Sequence, residues 1–60
     1  MKNFLDIAYK EEVVYQHKYI NVAAIAEIDV DEKMITLCNG HTFVVSEESL
    51  QLILAEVGIN

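Results

Sequence analysis

The chain has no proline, no tryptophan and no arginine, and its 60 residues include one cysteine and two glycines. A single cysteine excludes an intrachain disulfide, and no group of Cys and His residues has the spacing of a structural zinc site. Two glycines are too few for a glycine-rich phosphate-binding loop, and no serine lies in a nucleophile-elbow context. These absences predict a protein that is not an enzyme and that needs no cofactor or metal.

Positive charge is also scarce. Four lysines stand against ten carboxylates, which gives a formal net charge of −6. Proteins that bind the phosphate backbone of nucleic acids gain most of their affinity from Lys and Arg, so direct nucleic-acid binding is disfavoured. No segment approaches the roughly 20 apolar residues of a membrane-spanning helix, and the first residues do not resemble a signal peptide. We therefore expect a cytoplasmic protein without a membrane span.

The length of the chain predicts a single domain, residues 1–60, that is hard to stabilise alone. A chain of this size buries only about 60% of the surface that its unfolded form exposes. With neither a disulfide nor a metal site, oligomerisation is the remaining way to stabilise it. The hydrophobic content of 53% and the mean hydropathy of +0.25 are high for so small a chain. We therefore expect a homo-oligomer, a dimer or larger.

Hydrophobic periodicity predicts an α+β fold, with a four- to five-stranded antiparallel meander sheet and one C-terminal helix packed on one face. Asn21 is expected to end the second strand, with its side chain bonding the backbone of a short helical turn. The expected strands are Phe4–Tyr9, Val13–Ile20, Ile25–Asp31 and the two strands of a hairpin within residues 34–45.

The final segment predicts the helix. Ser46 is a suitable N-cap, and the two glutamates after it place negative charge at the positive end of the helix dipole. Gly58 is expected to end the helix in the left-handed conformation, with Ile59 packing back on Leu54. Apolar residues recur with the helical period and predict one buried stripe: Leu50, Ile53, Leu54 and Val57, widened by Leu52 and Ala55.

Asn39-Gly40 lies between two β-prone runs and predicts a two-residue type I′ hairpin turn. Such a turn places Ile35 opposite Val44 on the side covered by the helix. The other side of the hairpin is then also largely apolar, although no segment is left to cover it, so we expect a second copy of the chain to do so. The predicted self-association face consists of Met34, Thr36, Phe43 and Val45.

The run Ile25–Asp31 alternates strictly, which predicts Ala26, Ile28 and Val30 in the core and a row of carboxylates in solvent. Neighbouring carboxylates on one face of a strand are about 6.6 Å apart. The row has two interpretations, an ordinary solvated face or a partner-binding acidic face directed at a basic surface of a host protein. Its members are Glu27, Asp29, Asp31 and Glu32.

Both histidines are candidates for a chemical role. In the type I′ register Cys38 and His41 oppose each other, so a metal site or an activated thiol is conceivable, but zinc needs further ligands and a structural pair is favoured. His17 lies between Tyr15 and Tyr19 and is either a residue of an edge strand or the tip of a recognition surface. The edge-strand interpretation is favoured.

Four segments follow a recurring pattern: Tyr19–Ile28, Met34–Gly40, Val44-Val45 and Glu48-Ser49. In these segments the chain resembles the FlbD-like small flagellar proteins and a diffuse group of short phage and bacterial proteins. The similarity covers roughly residues 19–57. The chain differs from the family pattern in residues 31–34 and has one additional residue at the start of the helix. The resemblance implies a sheet-plus-helix layout and a flagellar or phage accessory role.

The sequence thus predicts a small non-enzymatic, self-associating accessory or regulatory interaction protein of bacterial or phage origin. The alternative is an acidic inhibitor that imitates nucleic acid in part and binds the nucleic-acid-binding surface of a host protein. The two-sided apolar hairpin favours the first function, and the net charge of −6 favours the second.

Overall fold

The computed structural model describes residues 4–58 and confirms the α+β class, with a five-stranded antiparallel sheet and one C-terminal helix. In chain order the elements are β1 (Phe4–Glu11), β2 (Val14–Asn21), a 3-10 turn (Val22–Ala24), β3 (Ile25–Asp29), β4 (Met34–Leu37), β5 (Thr42–Val45) and α1 (Glu47–Val57).

The strand order is β2-β1-β5-β4-β3, so the sheet departs from a continuous meander where the chain passes from β2 to β3. These two strands form opposite edges, yet only the 3-10 turn joins them. The four residue steps from Asn21 to Ile25 span at most about 14 Å. The edges of a flat five-stranded sheet would be about 19 Å apart. The sheet must therefore be strongly curled.

Asn21 forms the predicted cap of the 3-10 turn. Its Oδ1 accepts a hydrogen bond from the Ala23 N–H at 3.0 Å. The end of the turn is tied to the β4–β5 hairpin, because the Cys38 N–H donates to the Ala24 carbonyl at 2.8 Å. The crossing segment is thus fixed at both ends by hydrogen bonds.

The core lies between α1 and the face of the sheet that it covers. Leu50 and Ile53 contribute from the helix and are almost completely buried, and Leu54 packs partly buried beside them, as predicted. The predicted widening of the stripe by Leu52 and Ala55 is wrong, because both side chains are exposed, and Val57, predicted in the stripe, is 39% exposed. The buried core residues are Ile7, Ile20, Ile35, Val45, Leu50 and Ile53.

Both helix caps are confirmed. The Ser46 Oγ accepts a hydrogen bond from the Ser49 N–H at 3.1 Å. Gly58 has a left-handed backbone, with φ of 85°, and its N–H points to the carbonyls of Ala55 and Leu54. The predicted contact of Ile59 with Leu54 lies outside the described residues.

A buried serine joins the helix to the middle of the sheet. The ladder between β1 and β5 contains only two residue pairs, Tyr9–Val45 and Lys10–Val44. Beyond it, the Ser46 N–H donates to the Ala8 carbonyl at 3.0 Å, and the Ala8 N–H donates to the Ser49 Oγ at 2.8 Å. Ser49 therefore satisfies a backbone donor that no strand reaches, a role that the sequence pattern does not predict.

The predicted type I′ turn is wrong. The Leu37 N–H donates to the His41 carbonyl at 2.8 Å and the Gly40 N–H to the Leu37 carbonyl at 2.9 Å, which leaves a three-residue loop. Gly40 alone in this loop has a positive φ, +92°, whereas a type I′ turn requires one at Asn39 as well. The pattern is that of a type I turn followed by a bulged glycine. The Asn39 Oδ1 also accepts from the His41 N–H at 3.0 Å, a local bond that suits this turn.

The change of turn shifts the β4–β5 register by one residue. Met34 now pairs with Val44, and Ile35 pairs with Phe43. Because side chains alternate between faces, a shift of one residue in β5 moves each of its side chains to the opposite face. The predicted opposition of Ile35 and Val44 is therefore wrong.

The third strand is shorter than predicted and irregular. It ends at Asp29, and its register with β4 shifts between Ile25 and Glu27, so Ala26 occupies a bulge. Ala26 is exposed and Val30 is 53% exposed, which contradicts their predicted place in the core. Ile28 packs against the core as predicted, and because the bulge resets the alternation, Ile25 joins it in place of Ala26.

Candidate interaction surfaces

One face of the sheet is covered by α1, and the described part of the chain has no element that covers the other. We call this second face the uncovered face. Its most exposed aromatic side chains are Tyr19 at 72%, Phe4 at 64% and Tyr15 at 52%. By alternation and pairing, its residues are Phe4, Asp6, Ala8, Lys10, Tyr15, His17, Tyr19, Asn21, Glu27, Asp29, Met34, Thr36, Thr42 and Val44.

The predicted self-association residues are divided between the two faces. Met34 and Thr36 lie on the uncovered face. Val45, at 1% exposure, belongs to the core, and the partly buried Phe43 packs against it, so their predicted place on the open side is wrong. The cause is the three-residue turn, which moves β5 by one position relative to β4. Val44 takes the place that was expected for Val45.

Phe43 is part of an aromatic cluster at the margin of the core. Its ring meets the Tyr9 ring edge-on, with 5.2 Å between the ring centroids. The Lys18 Nζ lies 4.8 Å from the Phe43 centroid and 5.1 Å from the Tyr9 centroid. The lysine stem and its charge thus cover this edge of the cluster through cation–π contacts.

The predicted acidic residues lie near one another but do not form a straight row. Glu27 and Asp29 are on the uncovered face of β3, whereas Asp31 and Glu32 belong to the turn before β4. The Asp29 Oδ1 accepts from the Glu32 N–H at 3.1 Å, which bends the chain at this point. Together with Met34 and Thr36, the first three carboxylates line a shallow, open groove.

The outer edge of β2 presents unpaired backbone groups. Both backbone groups of Ala8 bond away from β2, to the start of the helix. Its partner on β2 is His17, and in an antiparallel ladder the residues alternate between bonding inward and outward. His17, Tyr15 and Tyr19 therefore direct their N–H and C=O groups away from the sheet.

The observed register does not place the cysteine and the histidines opposite one another. In the observed register Cys38 lies in the hairpin loop and is exposed, and His41 pairs with Leu37, so the expected opposition of Cys38 and His41 is wrong. His17 contacts Asp6, with 3.4 Å between Nδ1 and Oδ1, and both side chains are exposed. Across residues 4–58, no group of three or more His, Cys, Asp and Glu side chains is arranged to hold a metal ion.

Comparison with known proteins finds no matching family model, and no curated protein or solved structure with significant similarity. The resemblance to FlbD-like proteins therefore stays a prediction. Within the described range, no helix has both the length and the apolar character needed to cross a membrane.

Proposed function

We propose that this protein is a non-enzymatic accessory or regulatory protein that self-associates, of bacterial or phage origin and located in the cytoplasm. The observation that carries the proposal is the uncovered face, where three aromatic side chains are more than half exposed. Large aromatic residues dominate the energetics of protein interfaces, and a 60-residue chain has little core to stabilise it alone.

Sedimentation velocity across the micromolar range tests self-association. We expect a dimer or a larger species whose fraction rises with concentration. Tyr19→Glu should lower that fraction, because it places a charge on the uncovered face, whereas Val13→Glu should leave it unchanged. Val13 is 88% exposed in the β1–β2 turn and serves as the matched control. A wild-type monomer at every concentration would contradict the proposal.

The acidic groove favours a second candidate function, an inhibitor that binds the basic, nucleic-acid-binding surface of a host protein. Glu27, Asp29 and Asp31 lie together around an open groove, as such a partner requires. If this function is correct, replacing the three residues by Ser should abolish capture of the partner and leave the melting temperature nearly unchanged, because exposed charges contribute little to folding. Capture of the same partner by the triple variant would exclude this candidate.

A further inference from the structure

We propose that β2 pairs antiparallel with β2 of a second copy, with His17 facing His17 of that copy, so that two sheets join into one of ten strands. This inference rests on the proposed self-association and names the surface that carries it. It concerns the edge of the sheet and differs from the hairpin face that the sequence predicted.

The backbone of β2 is suited to this pairing. Tyr15, His17 and Tyr19 each direct one N–H and one C=O outward, as the bonding of Ala8 establishes. When two such strands pair about His17, Tyr15 of one copy lies opposite Tyr19 of the other. These three residues then find partners, which gives six hydrogen bonds between the copies. A register shifted by two residues would also pair them, Tyr15 with Asn21 and His17 with Tyr19, but it places Lys18 directly opposite Lys18 of the other copy, which is unfavourable.

Apart from Lys18, whose charge lies over the Tyr9 and Phe43 rings, the edge lacks the features that normally prevent strands from pairing. Proteins protect edge strands with proline, bulges, short length or charged side chains. β2 is eight residues long, contains no proline and pairs with β1 without a register shift. The opposite edge, β3, is five residues long, has a bulge and carries two carboxylates. Of the two edges, only β2 is left open to a partner strand.

The charge distribution selects a second copy as the occupant. The chain has ten carboxylates and a net charge of −6, so most of its surface repels another copy. β2 contains none of the ten, and its ionisable side chains other than tyrosine are His17 and Lys18. In the proposed register Lys18 lies opposite Gln16 of the other copy, and the two tyrosine pairs bring aromatic side chains together. Two β2 strands therefore meet without bringing carboxylates into register.

Disulfide trapping tests the register directly. In a Cys38→Ser background, His17→Cys places two cysteines opposite each other, with their Cα atoms about 5.5 Å apart, which a disulfide can bridge. In Tyr15→Cys the two cysteines would be offset by four residues, about 13 Å, which is too far. We expect His17→Cys to form a covalent dimer under mild oxidation and Tyr15→Cys alone to form none.

A mixture of Tyr15→Cys and Tyr19→Cys should also form a covalent dimer, because these positions face each other across the two-fold axis. Val13→Cys, at an exposed position, measures cross-linking by random collision. If the wild type dimerises but His17→Cys cross-links no faster than Val13→Cys, the β2 pairing is wrong and self-association stands. If the wild type stays monomeric in sedimentation, both proposals are overturned.

Discussion

Val44 and Val45 are neighbours in β5 and have opposite environments. Val45 is 1% exposed beneath the helix, and Val44 is 36% exposed on the uncovered face. The sequence predicted the reverse, because Asn39-Gly40 is typical of a two-residue hairpin turn. The length of the β4–β5 turn therefore decides which side chains of β5 stabilise the domain and which remain available for a partner.

We expect the largest difference in stability between variants of these two residues. Val45→Asp should unfold the domain, because it places an unpaired carboxylate in the core, which costs several kcal/mol in so small a protein. Val44→Asp should remain folded, since the side chain can reach solvent and pairs across the strands with Lys10. Circular dichroism with urea titration measures both. Equal loss of stability in the two variants would contradict the observed register.

The helix offers a second contrast between covered and exposed side chains. Ile53→Ala should lower the free energy of unfolding by about 2–5 kcal/mol, because it leaves a cavity at a fully buried position. Leu52→Ala should cost less than about 1 kcal/mol, since that side chain is half exposed. Thermal melts of the two variants give the ranking, and the reverse order would mean that α1 packs with a different face against the sheet.

Replacing Ser49 tests the hydrogen bond between the helix and β1. Ser49→Ala should cost about 1–3 kcal/mol, because the Ala8 N–H then loses its hydrogen-bond acceptor in a partly buried place. The control is Gln51→Ala on the exposed side of the helix, where only an exposed bond to Glu47 is lost. We expect the control to be within about 0.5 kcal/mol of the wild type. A neutral Ser49→Ala would show that the Ala8 N–H finds another partner.

The smallest effects are expected in the two hairpin turns and have opposite signs. Gly40→Ala should destabilise by about 1 kcal/mol, because φ of +92° is unfavourable for a side chain even where space is open. Glu12 has φ of 60° in the β1–β2 turn, so Glu12→Gly should stabilise by up to about 1 kcal/mol. Melting temperatures that move in the same direction for both variants would contradict these backbone assignments.

The parts of the fold that the sequence predicted correctly depend on local interactions. The caps at Ser46, Gly58 and Asn21 each use a side chain or backbone conformation within a few residues, and the periodicity of α1 identified Leu50 and Ile53. Local interactions of this kind can be predicted from the sequence alone.

The parts that were missed depend on contacts between distant segments. The bulge at Ala26 and the three-residue hairpin loop both change which residues face the core, and neither has a specific signal in the sequence. Ser49 bonds to a residue 41 positions away, and the exposed edge of β2 follows from a strand order that places β1 between β2 and β5. The one local hint was a second serine, Ser49, three residues after the N-cap Ser46. That spacing does not specify which backbone group Ser49 bonds.

Amide hydrogen exchange of the wild-type protein, resolved by residue and repeated at low and high concentration, tests the pairing of β2 with β2 most directly. The amides of Gln16 and Lys18 bond inward to β1 and should be protected at every concentration. The amides of Tyr15, His17 and Tyr19 should exchange quickly in the monomer and become protected as the concentration rises. Fast exchange of these three amides at concentrations where the protein is a dimer would contradict the pairing of β2 with β2.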